Sequence, residues 1–340
     1  MAILVFTHTV AVWHVIFIAF LLGLRNAVDL PTRQSFAVEM VGREDVGNAV
    51  ALNSAMFNGA RVIGPAVAGI TIGAFGVGAA FLIDAVSYLA VIFALLAMRE
   101  TDLHTRPGIE RPTTVGAALG NLREGLGYVR RTRMVLLPIL TVGLVSTFGM
   151  NFTVVIPPFV QEVLNGDATA YGFLMAATGV GSVISALTIA FSGRTMPVII
   201  GLGGATLGIA LIVLGRTTAF PIALVAMFVA GIGSISMAAT ANTLVQLTVP
   251  DQLRGRVMSV YTTVFAGSTP FGGLITGAIA SGFGAATAIV VGGALSLATG
   301  AAAIASIRGR TIYARRSRAV AGAGSESIDV GAGLTSVRPR

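Results

Sequence analysis

The sequence contains no cysteine and no lysine, and only 11% of its 340 residues are charged. Ordinary soluble domains carry about 25% charged residues. Without cysteine there is no disulfide and no thiolate metal site. The phosphate-binding pattern G-x-x-x-x-G-K-[ST] is missing, which argues against a self-contained ATP-driven pump. The first residues, MAILVFTHTV, lack the basic start of a signal peptide. What fills the chain instead is apolar: 55% hydrophobic residues, 43 glycines and a mean hydropathy of +0.87. A water-soluble protein of this length needs far more polar surface, and glycine is frequent in membrane helices. The composition indicates an all-α, polytopic membrane helix bundle.

A membrane span takes roughly 20 largely apolar residues. About nine complete stretches of that kind lie near 13–37, 48–72, 78–98, 135–160, 170–192, 196–214, 219–247, 257–282 and 286–306. Residues 1–10 read as the end of a further span. All 22 basic residues are arginine, and their placement alternates. One set of connections holds Arg43, the cluster from Arg99 to Arg133, Arg194, Arg254, Arg256 and the arginines from Arg308 onward. The opposite set holds Arg216 alone, with Glu162 and Asp167. Arginine excess marks the cytoplasmic face, so the long middle loop and the C-terminus are expected in the cytoplasm of a cell-membrane protein. The net charge of +8 therefore belongs to membrane topology and not to a nucleic-acid surface.

Four regions follow. Residues 1–98 read as the remainder of an N-terminal bundle, and 134–306 as a six-helix C-terminal bundle. Between them, 99–133 form a loop in which Leu119, Leu122, Leu126 and Val129 recur at helical spacing. That is the pattern of a short amphipathic helix on the membrane surface. Residues 307–340 read as a disordered tail. The two bundles also share a repeat. MVGREDVGNAV…VIGPAVAGI…AFG, 40–76, overlays TVPDQLRGRVM…PFGGLITGAI…GFG, 248–284, and sets Gly64 on Gly272, Gly69 on Gly277 and Gly76 on Gly284. Related halves joined by a long cytoplasmic loop are characteristic of secondary transporters.

These features resemble the major facilitator superfamily, in its enterobactin-exporter-like (transmembrane secretion effector) branch. The resemblance is carried by FLLGLRNAVDLPTRQSFAVEMVGREDVGNAVALNSAMFNGARVIGPAVAG, by PPFVQEVLNGDATAYGFLMAATGVGSVISA and by VPDQLRGRVMSVY. It implies a two-bundle fold whose fourth to twelfth spans are present here, with the first two to three helices lacking. It also implies secondary active transport of a small molecule (drug, siderophore or metabolite), by alternating access and with protons as the coupled ion. Ala60, Gly64, Pro65 and Gly69 stand where the superfamily's proton-driven exporters have G-x-x-x-G-P-x-x-G-G. Small residues four apart let a neighbouring backbone approach, and Pro65 bends the helix.

Charges at membrane depth are the other candidates. Arg25, Asp29 and Arg33 recur every four residues, Arg61 sits mid-span, and Asp84 lies one to two turns into the third span. A charge at a helix centre costs about 2.5–3.5 kcal/mol on insertion scales, so these groups are expected to face protein or water. Arg25, Asp29, Arg61 and Asp84 form either a proton-coupling network or a static set of ion pairs. Asn151 and Gln246 are candidates to hydrogen-bond substrate across a cavity. No cofactor or metal is expected, and His8 and His14 have no further ligands beside them. Two other readings stand beside export: a non-transporting remnant or mis-started gene, and a membrane-embedded enzyme. The enzyme would need a nucleophile pattern that Asp29 and Asp84 do not provide.

Overall fold

The computed structural model describes residues 1–25, 46–98, 115–192 and 196–329. Helices are the only regular structure among them. In hydrocarbon every backbone N–H and C=O must find its partner within the protein, and a helix achieves this within one segment. In chain order the helices are α1 (Ala2–Phe6), α2 (Val12–Arg25), α3 (Val46–Leu96), α4 (Val115–Arg131), α5 (Arg133–Gly149) and α6 (Phe152–Glu162). They continue with α7 (Ala168–Ser192), α8 (Val198–Arg216), α9 (Phe220–Thr248), α10 (Asp251–Phe283) and α11 (Ala285–Asp329).

Seven stretches among the described residues are long and apolar enough to cross a membrane. One of them, Ile63–Leu96, holds 34 residues. At 1.5 Å per residue it is about 50 Å long, well beyond a hydrocarbon core of about 30 Å. Gly76 resolves the excess, because its φ of 78° and ψ of 170° are not helical and break α3 into two arms. Gly284, between α10 and α11, has φ 86° and ψ 155°. These are the only glycines of positive φ among the described residues. They are also one of the three glycine pairs that the sequence repeat aligns. A side chain at either position would strain the backbone, whereas glycine adopts it readily. The arms of α3 thus match the expected spans 48–72 and 78–98. The expected span 13–37 is described only as far as Arg25.

The helices from α5 to α11 form the core. α8 packs on α9 and α11, α7 on α9, and α5 on α10 and α11. Phe159, Ile156, Leu174, Leu207, Met227 and Met237 are fully buried there. Small residues set the spacing between neighbours. Ser182 Oγ of α7 donates to the Gly231 carbonyl of α9 at 3.4 Å, and Ser185 and Ser236 share a hydrogen bond of 2.8 Å. The α3 arms are apolar and outward-facing, with Phe75, Ile83 and Phe93 among the most exposed side chains. Lipid tails are as apolar as these side chains, so such exposure carries no hydrophobic penalty in a bilayer.

Two expectations change. The amphipathic segment does form a helix, but α4 docks on protein. Val129 is buried, and a Cβ on Gly125 would stand 2.6 Å from the Arg256 carbonyl oxygen of α10. Glu124 pairs with Arg256 beside that contact. The region from 307 was expected to be disordered, yet α11 continues as helix to Asp329. Arginine and alanine fill much of that extension, and both are strong helix formers.

Candidate functional site

The charged residues expected to meet are only partly within view. Asp29 lies outside the described residues, as does the side chain of Arg61. Arg25, at the end of α2, is placed: its Nη1 donates to Tyr88 Oη at 2.8 Å. Its guanidinium carbon also stands 4.9 Å from the centre of the Tyr88 ring, close enough for cation–π attraction. Tyr88 is one helical turn beyond Asp84 on the same arm of α3. Counted along the helices, Arg25 lies about 20 Å from the start of α2 and Tyr88 about 17 Å beyond the break at Gly76. Ser87 Oγ donates to the Asp84 carbonyl at 2.7 Å. Asp84 itself is exposed and makes no ion pair with a described residue. The structure thus brings Arg25 to the turn that carries Asp84, through a tyrosine that the charge pattern missed.

The motif of small residues meets α7. A Cβ on Gly69 would fall 2.8 Å from Gly172 Cα, and one on Gly172 would fall 2.6 Å from the Pro65 carbonyl oxygen. Thr169 Oγ1 reaches the Gly69 carbonyl at 3.5 Å. Pro65 and Gly69 therefore carry the contact with α7. Gly64 has open space where a Cβ would stand, and Ala60 is exposed, so these two do not join the packing among the described residues. The contact lies at the arginine-poor end of both helices, roughly 6 to 10 Å from it. Beyond it, Asp167 Oδ1 accepts from Ala170 N–H at 3.0 Å and caps α7. That amide holds the Asp167 carboxyl below the usual carboxylate range.

Asn151 and Gln246 do not form one site. Asn151, 3% exposed, lies in the break between α5 and α6, at the N-cap of α6. Its Nδ2 donates to the Thr147 carbonyl at 2.6 Å and to Thr276 Oγ1 at 3.2 Å, while its buried Oδ1 has no partner. Gln246 is exposed, two residues from the arginine-rich end of α9, and bonds to Asn242. Its carbonyl accepts from Arg254 Nε at 3.1 Å. Its closeness to that end is why it cannot face Asn151, which lies about 27 Å along its span from Arg133. The structure offers a different surface. An open groove of about 440 Å³ runs between α5 and α10, lined by Gly143, Thr147, Thr263, Gly267, Ser268 and Phe271. Asn151 braces this groove from behind, through the Thr147 backbone. Hydroxyl groups in apolar runs gave no sequence signal for it.

Comparison with known proteins agrees with this architecture. The profile of the transmembrane secretion effector family matches residues 1–322. An uncharacterized MFS-type transporter of Bacillus subtilis, YvqJ, is 25% identical over 221 residues, covering 64% of this chain and 52% of that protein. The multidrug efflux pump Tap of Mycolicibacterium fortuitum is 28% identical over 196 residues, 56% of this chain and 47% of the pump. The chain thus spans about half the length of these curated relatives. A solved POT family transporter in complex with 5-aminolevulinic acid has a TM-score of 0.58 at 12% identity, over 78% of this chain and 70% of that one. A second, with a thioalcohol-conjugated peptide, scores 0.59 over the same shares. At that identity the likeness is one of fold. With the profile covering nearly its whole length, the chain belongs to the transmembrane secretion effector family of major facilitator superfamily transporters.

Proposed function

We propose that the chain acts as a secondary active exporter in the cell membrane, moving small apolar or amphipathic molecules outward in exchange for protons. The observation that carries this reading is the approach of Gly69 to Gly172, which joins the two repeat-bearing halves near the arginine-poor end of both helices. Arginine excess assigns the other end, and the C-terminus with it, to the cytoplasm. The Gly69–Gly172 contact then closes the outer side, in the state that takes up substrate from within. Alternating access requires this contact to open and re-form.

The coupling residue in this reading is Asp84, the only carboxylate in the described spans away from a helix end. Ionised Asp84 draws Arg25 across one turn; protonated, it leaves Arg25 on Tyr88. One arginine moving between two partners on α3 links proton occupancy to the fit of α2 against that helix. The α5–α10 groove supplies the surface for an apolar substrate, with Thr147, Thr263 and Ser268 as its polar points. Efflux of several compounds by a relative named as a multidrug pump is in keeping with a groove of this character.

The test is transport by the purified chain in proteoliposomes, with a fluorescent apolar dye and an imposed proton gradient. Dye movement should follow the gradient, and Asp84→Asn should reduce gradient-driven movement at least about tenfold, a change in barrier of roughly 1.4 kcal/mol. Dye exchange without a gradient should persist in that variant. Movement that ignores both the gradient and Asp84→Asn would refute the coupling.

A further inference from the structure

One cavity has no part in the transport reading. It lies among the arginine-rich ends of α5, α8, α9 and α11 and encloses about 170 Å³. Leu137 and Pro138 of α5, Ile200 of α8, Leu244 of α9 and Ile307 of α11 give it an almost wholly hydrocarbon wall. Apolar cavities of about 150 Å³ stay dry and accept apolar guests, so this one suits a segment of hydrocarbon chain.

The mouth has the opposite character. Arg133 lines it, is exposed, and is the first residue of α5. Arg130 and Arg131 end α4 just before it and are exposed as well. None of the three is ion-paired to a described residue. Thr132, at the N-cap of α5, makes no side-chain capping bond; its carbonyl accepts from the Val135 and Leu136 amides instead. An apolar cleft topped by unpaired guanidinium groups at a membrane boundary matches one kind of molecule: an acyl chain ending in a phosphodiester.

We propose that this cleft binds an anionic phospholipid, with one acyl chain between Leu137 and Leu244 and the phosphate on Arg133, flanked by Arg130 and Arg131. A zwitterionic lipid offers the same hydrocarbon but carries an ammonium group into the arginine cluster, so charge sets the preference. Which leaflet supplies the lipid rests on the orientation proposed above. By that orientation it is the cytoplasmic leaflet, where anionic headgroups attract basic juxtamembrane segments.

Native mass spectrometry of the full chain, purified in neutral detergent, decides the matter. One phosphatidylglycerol should be retained under conditions that strip phosphatidylcholine. Arg133→Gln should weaken that retention roughly fivefold, as expected for one arginine at a charged headgroup. Leu137→Trp, which fills the cleft from its wall, should abolish it, and excess inorganic phosphate should leave it unchanged. Equal retention of the two lipids would overturn the proposal. So would phosphatidylglycerol binding unaffected by both substitutions, or its displacement by inorganic phosphate, which would mark a simple anion site. The readout needs neither transport nor a known orientation, so failure here is distinct from failure of the export reading.

Discussion

Gly69 and Gly172 stand so close that each occupies the space where the other's side chain would begin: an added Cβ would lie 2.8 Å from Gly172 Cα in one case and 2.9 Å from Gly69 Cα in the other. The obstructing atoms are backbone, which cannot rotate aside. Gly172→Leu or Gly69→Leu should therefore push α3 off α7 and destabilise the protein by about 1–3 kcal/mol. Gly64, five residues earlier, has open space at the same point. Gly64→Ala should leave stability unchanged or raise it by about 0.4–1 kcal/mol, through the lower entropy of the unfolded chain. Thermal unfolding in detergent distinguishes the two; equal losses at Gly64 and Gly172 would contradict the geometry.

Tyr88 holds Arg25 in two ways, and substitutions separate them. Tyr88→Phe keeps the ring and loses the hydrogen bond, at a cost of about 0.5–1.5 kcal/mol. Tyr88→Leu also removes the cation–π contact, worth about a further 0.5–1 kcal/mol at an exposed site. In an Arg25→Gln background both losses should disappear. A double-mutant cycle in denaturant measures this coupling directly. Additive effects would show that the two residues do not interact in the membrane.

Asp167 gives a pH dependence of known sign. Its carboxyl is held low in the folded protein, chiefly by the hydrogen bond from Ala170 N–H. Its unfolded value is the usual one, about 3.9. The stabilisation is present above that value and is lost as pH falls through the lower folded value. Unfolding midpoints should therefore drop below about pH 4, and the drop should shrink in Asp167→Asn. An identical acid profile in the variant would exclude Asp167 as its source.

How much of this could be read from residues differs between features. Gly76 and Gly284 were paired by the repeat alone, and both prove to carry the same positive-φ break. A requirement of the local backbone leaves its trace in local sequence. The spans were legible for a similar reason, since hydrocarbon demands long apolar helices wherever the chain crosses. The role of Tyr88 was not. A tyrosine in an apolar run looks like any other aromatic until the crossing of α2 and α3 puts an arginine on it. Asn151 and Gln246 were paired by residue type, but an amide carries no record of depth. Only the placement of Gln246 two residues from the end of α9 separates it from Asn151. The α4 contact was half legible: the spacing gave the helix, but its partner depended on Gly125 meeting the backbone of α10.

The most direct measurement uses the absence of cysteine. A Cβ on Gly73 would stand 3.7 Å from Thr169 Cβ, within the range that a disulfide spans. In a chain free of other thiols, Gly73→Cys with Thr169→Cys should cross-link on mild oxidation, fix the α3–α7 contact shut and stop transport. Reduction should restore it. Failure to cross-link would contradict the placement of α3 on α7. Undiminished transport by the cross-linked chain would contradict the claim that this contact must open in every cycle.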